Sequence, residues 1–226
     1  MPHPQSIIVT IDGPAGAGKS SVAVKLAERL GFQFLDTGAM YRTVALAAIR
    51  YGCSWNDPSS LTNLTRKLNI ELENQQVYLD GDEVTADIRT SEITAAVRYV
   101  ADVPDIREHL VELQRCAAKQ HNIVTEGRDQ GTIVFPNAQC KFFLTASPEV
   151  RARRRWEQLQ TRGENVELND VLTQQNERDR QDCQRTVGKL IAADDAMNID
   201  TDSLTTDEVV DRLEKIVRKN SPNSAS

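Results

Sequence analysis

Apolar residues follow two alternating rhythms along the chain. Short, mostly apolar runs occur at Ser6–Ile11 (SIIVTI), Phe32–Leu35, Asn122–Thr125 (NIVT), Lys141–Thr145 (KFFLT) and Ala196–Ile199. Runs of this kind suit strands buried on both faces. Between them apolar positions recur at helical spacing. Val22, Ala23, Leu26, Ala27 and Leu30 predict a helix that Gly31 ends, and Val209, Val210, Leu213, Ile216 and Val217 predict a closing helix over Thr206–Lys219. Further helices are expected over Ala39–Tyr51 with Thr37 as N-cap, from Pro104 to about Lys119 with proline at its first position, over Arg151–Gln160, and from Val171 to about Arg185. Strands alternating with helices predict an α/β fold, a mostly parallel sheet with helices on both faces.

The rhythm breaks between about Asn56 and Val100. There Leu68–Leu72 and Gln76–Leu79 predict a β-hairpin with Asp80-Gly81 as a turn after it, and the stretch reads as an inserted lobe, about 56–103. The Ser/Asn/Pro tail Asn220–Ser226 is expected to be disordered. No repeat or low-complexity block interrupts the 226 residues, a length suited to a single domain with small insertions.

Composition narrows the chemistry. With 39% hydrophobic and 27% charged residues the chain is an ordinary globular one. Its formal net charge of −6 lacks the basic footprint of a nucleic-acid binder, so any anionic ligand must be met by locally gathered cations. Cys53, Cys116, Cys140 and Cys183 form no C-x-x-C pair, and His3, His109 and His121 are not spaced as zinc ligands. No apolar run reaches the roughly 20 residues of a membrane span, and the N-terminus lacks a signal-peptide pattern. A cytoplasmic, soluble protein with reduced thiols is expected.

Gly13-Pro14-Ala15-Gly16-Ala17-Gly18-Lys19-Ser20 satisfies G-x-x-x-x-G-K-[ST] between a predicted strand and a predicted helix, the context that confirms a P-loop. Glycines let backbone amides reach phosphate oxygens, and the helix that starts here aims its unpaired N–H groups at the same anion. These residues and Ser21 are expected to hold ATP, with Lys19 on the β and γ phosphates and the Ser20 hydroxyl on Mg²⁺. Asp36 is a second candidate near the metal. A GTPase should carry N-K-x-D, and the chain has no Asn-Lys pair. A motor ATPase should end a later strand in a Walker-B acid pair, whereas Asn122–Thr125 is followed by the single Glu126. A small-molecule kinase remains.

A kinase acting on a nucleoside monophosphate needs no base, because a phosphate with a second pKa of about 6 is already ionised. It needs guanidinium groups. Arg42 and Arg107 lie early in predicted helices, where cations oppose the helix dipole and an anionic ligand would account for them; a solvated surface would also tolerate them. Arg178, Asp182 and Arg185 are spaced to share one helical face, either as a salt-bridged surface or as two phosphate-gripping arginines with a carboxylate between them. Arg151, Arg154 and Arg155, ahead of Arg162-Gly163, read as a lid over the phosphates, about 151–166, or as a basic patch. Arg128-Asp129 follows a strand, at the carboxyl edge where ligands bind in such folds. These residues leave the acceptor open among CMP, UMP, AMP and a non-nucleotide such as shikimate, and they leave room for a nucleotide-dependent switch.

GPAGAGKSS, LDTGAMYR, IRTSEI, PDIR, EGRDQGT and ERDRQD, in this order, resemble the bacterial-type cytidylate kinases of the P-loop nucleoside monophosphate kinase superfamily, from about Ile7 to Lys219. The resemblance implies a five-stranded parallel core, an enlarged NMP-binding insert and a short lid. It implies transfer from MgATP to CMP or dCMP in pyrimidine nucleotide metabolism. From charge and hydropathy no nucleic-acid or membrane partner is expected, and a monomer is the default. Lys19, Arg128, Arg178 and Arg185 would carry the catalytic charge, and Arg154 would join the ATP site. Thr37, Arg42, Arg128, Arg178 and Arg185 would hold the acceptor phosphate and sugar, Asp182 the ribose, and Arg107 and Asp129 the edge of cytosine. Arg98 stands where relatives often carry Ser, Cys183 and Gln184 replace Arg and Asn, and Glu126 replaces Asp.

Overall fold

The computed structural model describes residues 6–220 except 74 and 120. The tail expected over Asn220–Ser226 lies, beyond Asn220, outside the described residues. In chain order the first elements are β1 (Ile8–Asp12), α1 (Lys19–Leu30), β2 (Gln33–Asp36), α2 (Thr37–Arg50) and α3 (Pro58–Thr65). Then come β3 (Ile70–Glu73), β4 (Gln76–Leu79), β5 (Asp82–Glu83), α4 (Ser91–Ala101) and α5 (Pro104–Ala117). The last are β6 (Ile123–Gly127), β7 (Cys140–Thr145), α6 (Pro148–Thr161), α7 (Leu168–Gln184), β8 (Met197–Asp200) and α8 (Thr206–Asn220). They divide into two compact units, Met1–Phe34 with Gln120–Ser226, and Leu35–Lys119.

The main sheet has the order β2-β6-β1-β7-β8, with β1 parallel to β6 and β7, and β7 parallel to β8. This is the five-stranded parallel α/β core expected. Central β1 is buried from Val9 through Asp12, which is why its sequence is a continuous apolar run ending in one acid. The ladder carries two strands past their apolar runs: Asp12 pairs with Gly127 and Phe143, and Glu126 pairs with Ile11. Val22, Leu26, Val210 and Leu213, from α1 and α8, join Val9, Ile11, Phe142 and Leu144 in one core. Each such buried aliphatic side chain contributes about 1.5–3 kcal/mol.

The second unit carries a three-stranded antiparallel sheet, β3-β4-β5, with β3 and β4 forming the expected hairpin and Asp80-Gly81 turning into β5. Its core gathers Val44, Leu61, Val77, Ile88, Val100, Ile106 and Leu110. One cap differs from expectation. Asp36, not Thr37, caps α2, accepting from the Ala39 amide at 2.7 Å, and Thr37 is the first helical residue. Both side chains can cap, and the carboxylate one position earlier reaches the amide.

Candidate active site

The loop between β1 and α1 is built for an anion. Gly18 caps α1 without a side-chain hydrogen bond, and no acidic residue occupies the first turn, so the positive end of the helix dipole is left for a ligand. Gly16 has φ of +80°, and a Cβ there would stand 2.7 Å from Gln175 Nε2 and 2.9 Å from Arg151 Cβ. Lys19 is buried, and its Nζ donates to the Pro14 carbonyl at 2.7 Å, folding the side chain across the loop. Burial, reinforced by the Arg128 guanidinium, lowers its ammonium from 10.5 to about 7, against the pull of Glu126. The exposed Ser20 hydroxyl donates to Glu126 Oε1 at 2.9 Å. The serine expected near the metal therefore meets the carboxylate at the end of β6.

At the same sheet edge an arginine cluster forms around Asp182, which is 2% exposed. Arg128 Nε donates to its Oδ2 at 2.8 Å, and Arg185 Nη1 approaches its Oδ1 at 2.9 Å. Burial alone would raise the Asp182 carboxyl, but the guanidinium groups of Arg128, Arg185 and Arg178 overturn this and hold it below the usual carboxylate range. The carboxylates of Asp182 and Glu126 in turn outweigh burial at Arg128 and keep its guanidinium charged. The predicted trio is thus assembled, with one correction. Arg185 is not on the helical face shared by Arg178 and Asp182: α7 ends at Gln184, and Arg185 is the C-cap, with φ −52° and ψ 146°, reaching Asp182 from beyond the last turn.

The basic helix α6 also departs from expectation. Arg151 is not a lid arginine aimed at ligand. It is buried, and its guanidinium donates to Ala146 O, to Ala15 O of the phosphate loop, and to Asp179 Oδ2 of α7 at 2.6 Å. Gln175 Nε2 joins it on Ala15 O at 3.3 Å. Arg154 donates to Thr201 Oγ1 and O, and Thr201 Oγ1 in turn lies 3.4 Å from the Ala17 carbonyl. Ala152 and Leu159 of α6 pack with Val171 of α7 in a small core of their own. Among residues 151–166, then, Arg151 shapes the loop and Arg154 lies one residue removed from it.

In the second unit Arg42 pairs with Asp36 at 3.2 Å, so Asp36, the second metal candidate, divides its oxygens between a helix cap and a guanidinium. Arg107 is 5% exposed, which removes the surface-arginine alternative; it donates to Ala101 O and lies over the Tyr41 ring at 5.5 Å. Thr37 is buried. Arg98 lies over the Tyr99 ring and donates to its hydroxyl at 2.7 Å.

Sequence reasoning missed Gln175, Thr201 and the first-unit acid Asp12, whose carboxylate accepts from the amides of Gln130 and Gly131. An acid closing an apolar strand just before the glycine loop was the available signal for Asp12.

Comparison with known proteins agrees with this geometry. The cytidylate kinase family model matches residues 9–219. A curated cytidylate kinase from Rhodopirellula baltica is 48% identical over 224 residues, covering 97% of this chain and 98% of its own. One from Caldanaerobacter subterraneus subsp. tengcongensis is 46% identical over 215 residues, covering 95% and 96%. Among solved structures, an uncharacterised protein from Eubacterium ventriosum superposes with a TM-score of 0.54 at 15% identity, covering 95% of this chain and 99% of that one, a likeness of fold. With a family model spanning nearly its whole length and relatives close to half identical end to end, the chain belongs to the cytidylate kinase family.

Proposed function

We propose that the enzyme transfers the γ-phosphoryl group of MgATP to CMP or dCMP, giving ADP and CDP or dCDP. The observation that carries this reading is the Asp182 cluster: guanidinium groups gathered beside a phosphate loop and oriented by one buried carboxylate. Two phosphates repel, and the reaction needs them in line; cations fixed in advance offset that repulsion without reorganising. Each bidentate arginine contact to phosphate is worth about 1.5–3 kcal/mol. An acceptor that is itself a phosphate supplies an ionised oxygen as nucleophile, so no side chain has to take a proton.

Arg128, Arg178 and Arg185 are proposed to grip the acceptor phosphate and the transferring group, with Lys19 on the donor. Asp182 orients two of these arginines, and a ribose hydroxyl would be its remaining partner. Thr37 and Arg42 are assigned to the acceptor's phosphate, and Arg107 to the carbonyl edge of its base. Asp129, a buried carboxylate, suits the exocyclic amine of cytosine; a uracil carbonyl in that place would meet only lone pairs, and an unmet buried polar group is the basis of discrimination. Residues 56–103 are proposed as the acceptor-binding insert and 151–166 as the lid, with Arg154 its arginine for ATP. Ser20 and Glu126 offer the hard oxygen donors that magnesium prefers, and when bound the ion would neutralise charge on the β and γ oxygens.

A coupled ADP-release assay across CMP, dCMP, UMP, AMP and GMP tests the reading. Strong turnover with the cytosine nucleotides alone is expected, and Asp129→Ala should raise KM for CMP far more than for ATP. Equal rates on UMP would remove the cytosine assignment of Asp129 and Arg107. Turnover that needs no acceptor would sink the kinase.

A further inference from the structure

We propose that Asp12 is a positioning residue for the acceptor side of the reaction, its carboxylate fixing the turn that carries Arg128 and Asp129. The inference rests on the assignment of those two residues to the acceptor nucleotide.

β6 ends at Gly127; Arg128 and Asp129 follow, and a π-type turn, Gln130–Val134, comes directly after them. Asp12 stands beside this junction, in register with Gly127, and is 4% exposed. Its Oδ1 accepts from the Gln130 amide at 2.9 Å and its Oδ2 from the Gly131 amide at 2.7 Å. Two successive peptide planes are therefore tied to one side chain. Each oxygen serves one plane, so replacing one of them by an N–H group would turn a donor toward a buried donor.

The surroundings are shaped to allow this approach. A Cβ on Gly131 would stand 3.0 Å from Thr10 Oγ1, 3.3 Å from Lys141 Cδ and 3.4 Å from Asp12 Oδ2, so only glycine brings its amide this near without displacing a neighbour. On the other flank Thr125 donates to Gln130 Oε1 at 3.1 Å, and the Gln130 side chain folds beneath Gly127, where a Cβ would meet its Cγ at 2.8 Å. Arg128 and Asp129 thus sit between the end of a strand and a doubly held turn. Loss of the Asp12 tie would let the two side chains swing while the strand stayed in place.

The tie is costly to maintain. Burial lifts the Asp12 carboxyl from 3.8 to about 6, although both amides and Lys19 favour its charged form. An apolar residue at the end of β1 would serve the sheet better, so a charged one points to a task beyond packing.

The test is Asp12→Asn, which keeps shape and one acceptor but turns an NH₂ group toward the Gly131 amide. KM for CMP should rise at least about tenfold, KM for ATP less than about threefold, and the melting temperature should stay within a few degrees, because the variant also removes a buried charge. In an Asp129→Ala background the same substitution should raise KM for CMP by a clearly smaller factor than in the otherwise wild-type protein, since one of the two groups it positions is gone and only Arg128 remains. Equal shifts for both substrates, an unmoved KM for CMP, or full additivity in the double variant would overturn the inference. Gly131→Ala, which crowds the tie from the other side with the charge intact, should reproduce the selective loss, and it decides the matter if Asp12→Asn does not fold. If Arg128→Lys and Asp129→Ala themselves leave KM for CMP unchanged, the acceptor assignment fails and this inference with it; if they raise it while Asp12→Asn does not, the inference alone fails.

Discussion

Replacing Lys19 with methionine should abolish turnover and make the folded protein more stable at neutral pH. The side chain is buried, and its pKa falls from 10.5 to about 7. At about 1.4 kcal/mol per pH unit, keeping Lys19 charged at pH 7 costs on the order of 4–5 kcal/mol. Its bond to the Pro14 carbonyl, a charged hydrogen bond worth about 1.5–3 kcal/mol, offsets part of this. Methionine keeps the stem and drops the charge, leaving a net gain of about 1–3.5 kcal/mol. The pH dependence fixes the cause. Between pH 7 and 10.5 the unfolded chain holds the Lys19 proton and the folded chain has lost it, so wild-type stability rises with pH across that window. Lys19→Met lacks this rise. Urea melts of nucleotide-free protein at pH 7 and 9.5 should therefore show a variant clearly more stable at the lower pH and nearly matched at the higher. A variant less stable at pH 7, or a difference constant with pH, would refute the reasoning.

Other outcomes follow from the same geometry. Asp182→Ala leaves two guanidinium groups facing each other without their carboxylate and should cost about 3–5 kcal/mol in urea melts at pH 7. Because the Arg128, Arg185 and Arg178 guanidinium groups hold the folded-state Asp182 carboxyl below its ordinary value, that stabilisation is present above the ordinary carboxylate value and fades as acid protonates it, so the two proteins should converge as the pH falls below that value. Gly16→Ala places a Cβ against Arg151 and Gln175 at positive φ and should weaken ATP binding at least about tenfold by fluorescence titration, with KM for CMP little changed. Arg151→Lys cannot serve three acceptors in different directions and should lower kcat/KM for ATP by about tenfold or more. Phosphate charge beside Lys19 should raise its pKa again, so ATP binding at pH 8 should take up a proton, read as a calorimetric enthalpy that varies with the buffer's ionisation enthalpy; no variation would contradict it.

Much of this architecture was legible because the signals were local. The glycine loop, the apolar strands and the period of α1 and α8 each follow from neighbouring residues. What escaped depended on the far side of a contact. A helical wheel puts Arg151, Arg154 and Arg155 together but does not say which way the group faces, and the packing of α6 on α7 turned Arg151 inward. Arg185 continued the helical spacing of Arg178 and Asp182, yet the chain left the helix one residue earlier and made the same ion pair from the cap. In the second unit α3 and α4 were missed although each carries a start signal: Asp57 before Pro58, its carboxylate accepting from the Ser60 amide, and Thr90 accepting from the Ile93 amide. Their short apolar patterns gave no period long enough to read.

The acidic balance of the chain and its anionic ligands are reconciled by how the cations are held. Lys19, Arg128, Arg178 and Arg185 crowd one edge of the sheet, and left alone they would repel one another and the fold would resist them. Carboxylates on the same unit make the arrangement tolerable. Asp182 takes Arg128 and Arg185, and Glu126 steadies both Lys19 and Arg128. The compensation is incomplete at Lys19, whose proton is held only to about pH 7. A fully neutralised cluster would be more stable but would have little left to offer a phosphate. The remaining imbalance is therefore the part of the site that a polyphosphate can satisfy and water cannot, and substitutions that relieve it should trade binding for stability.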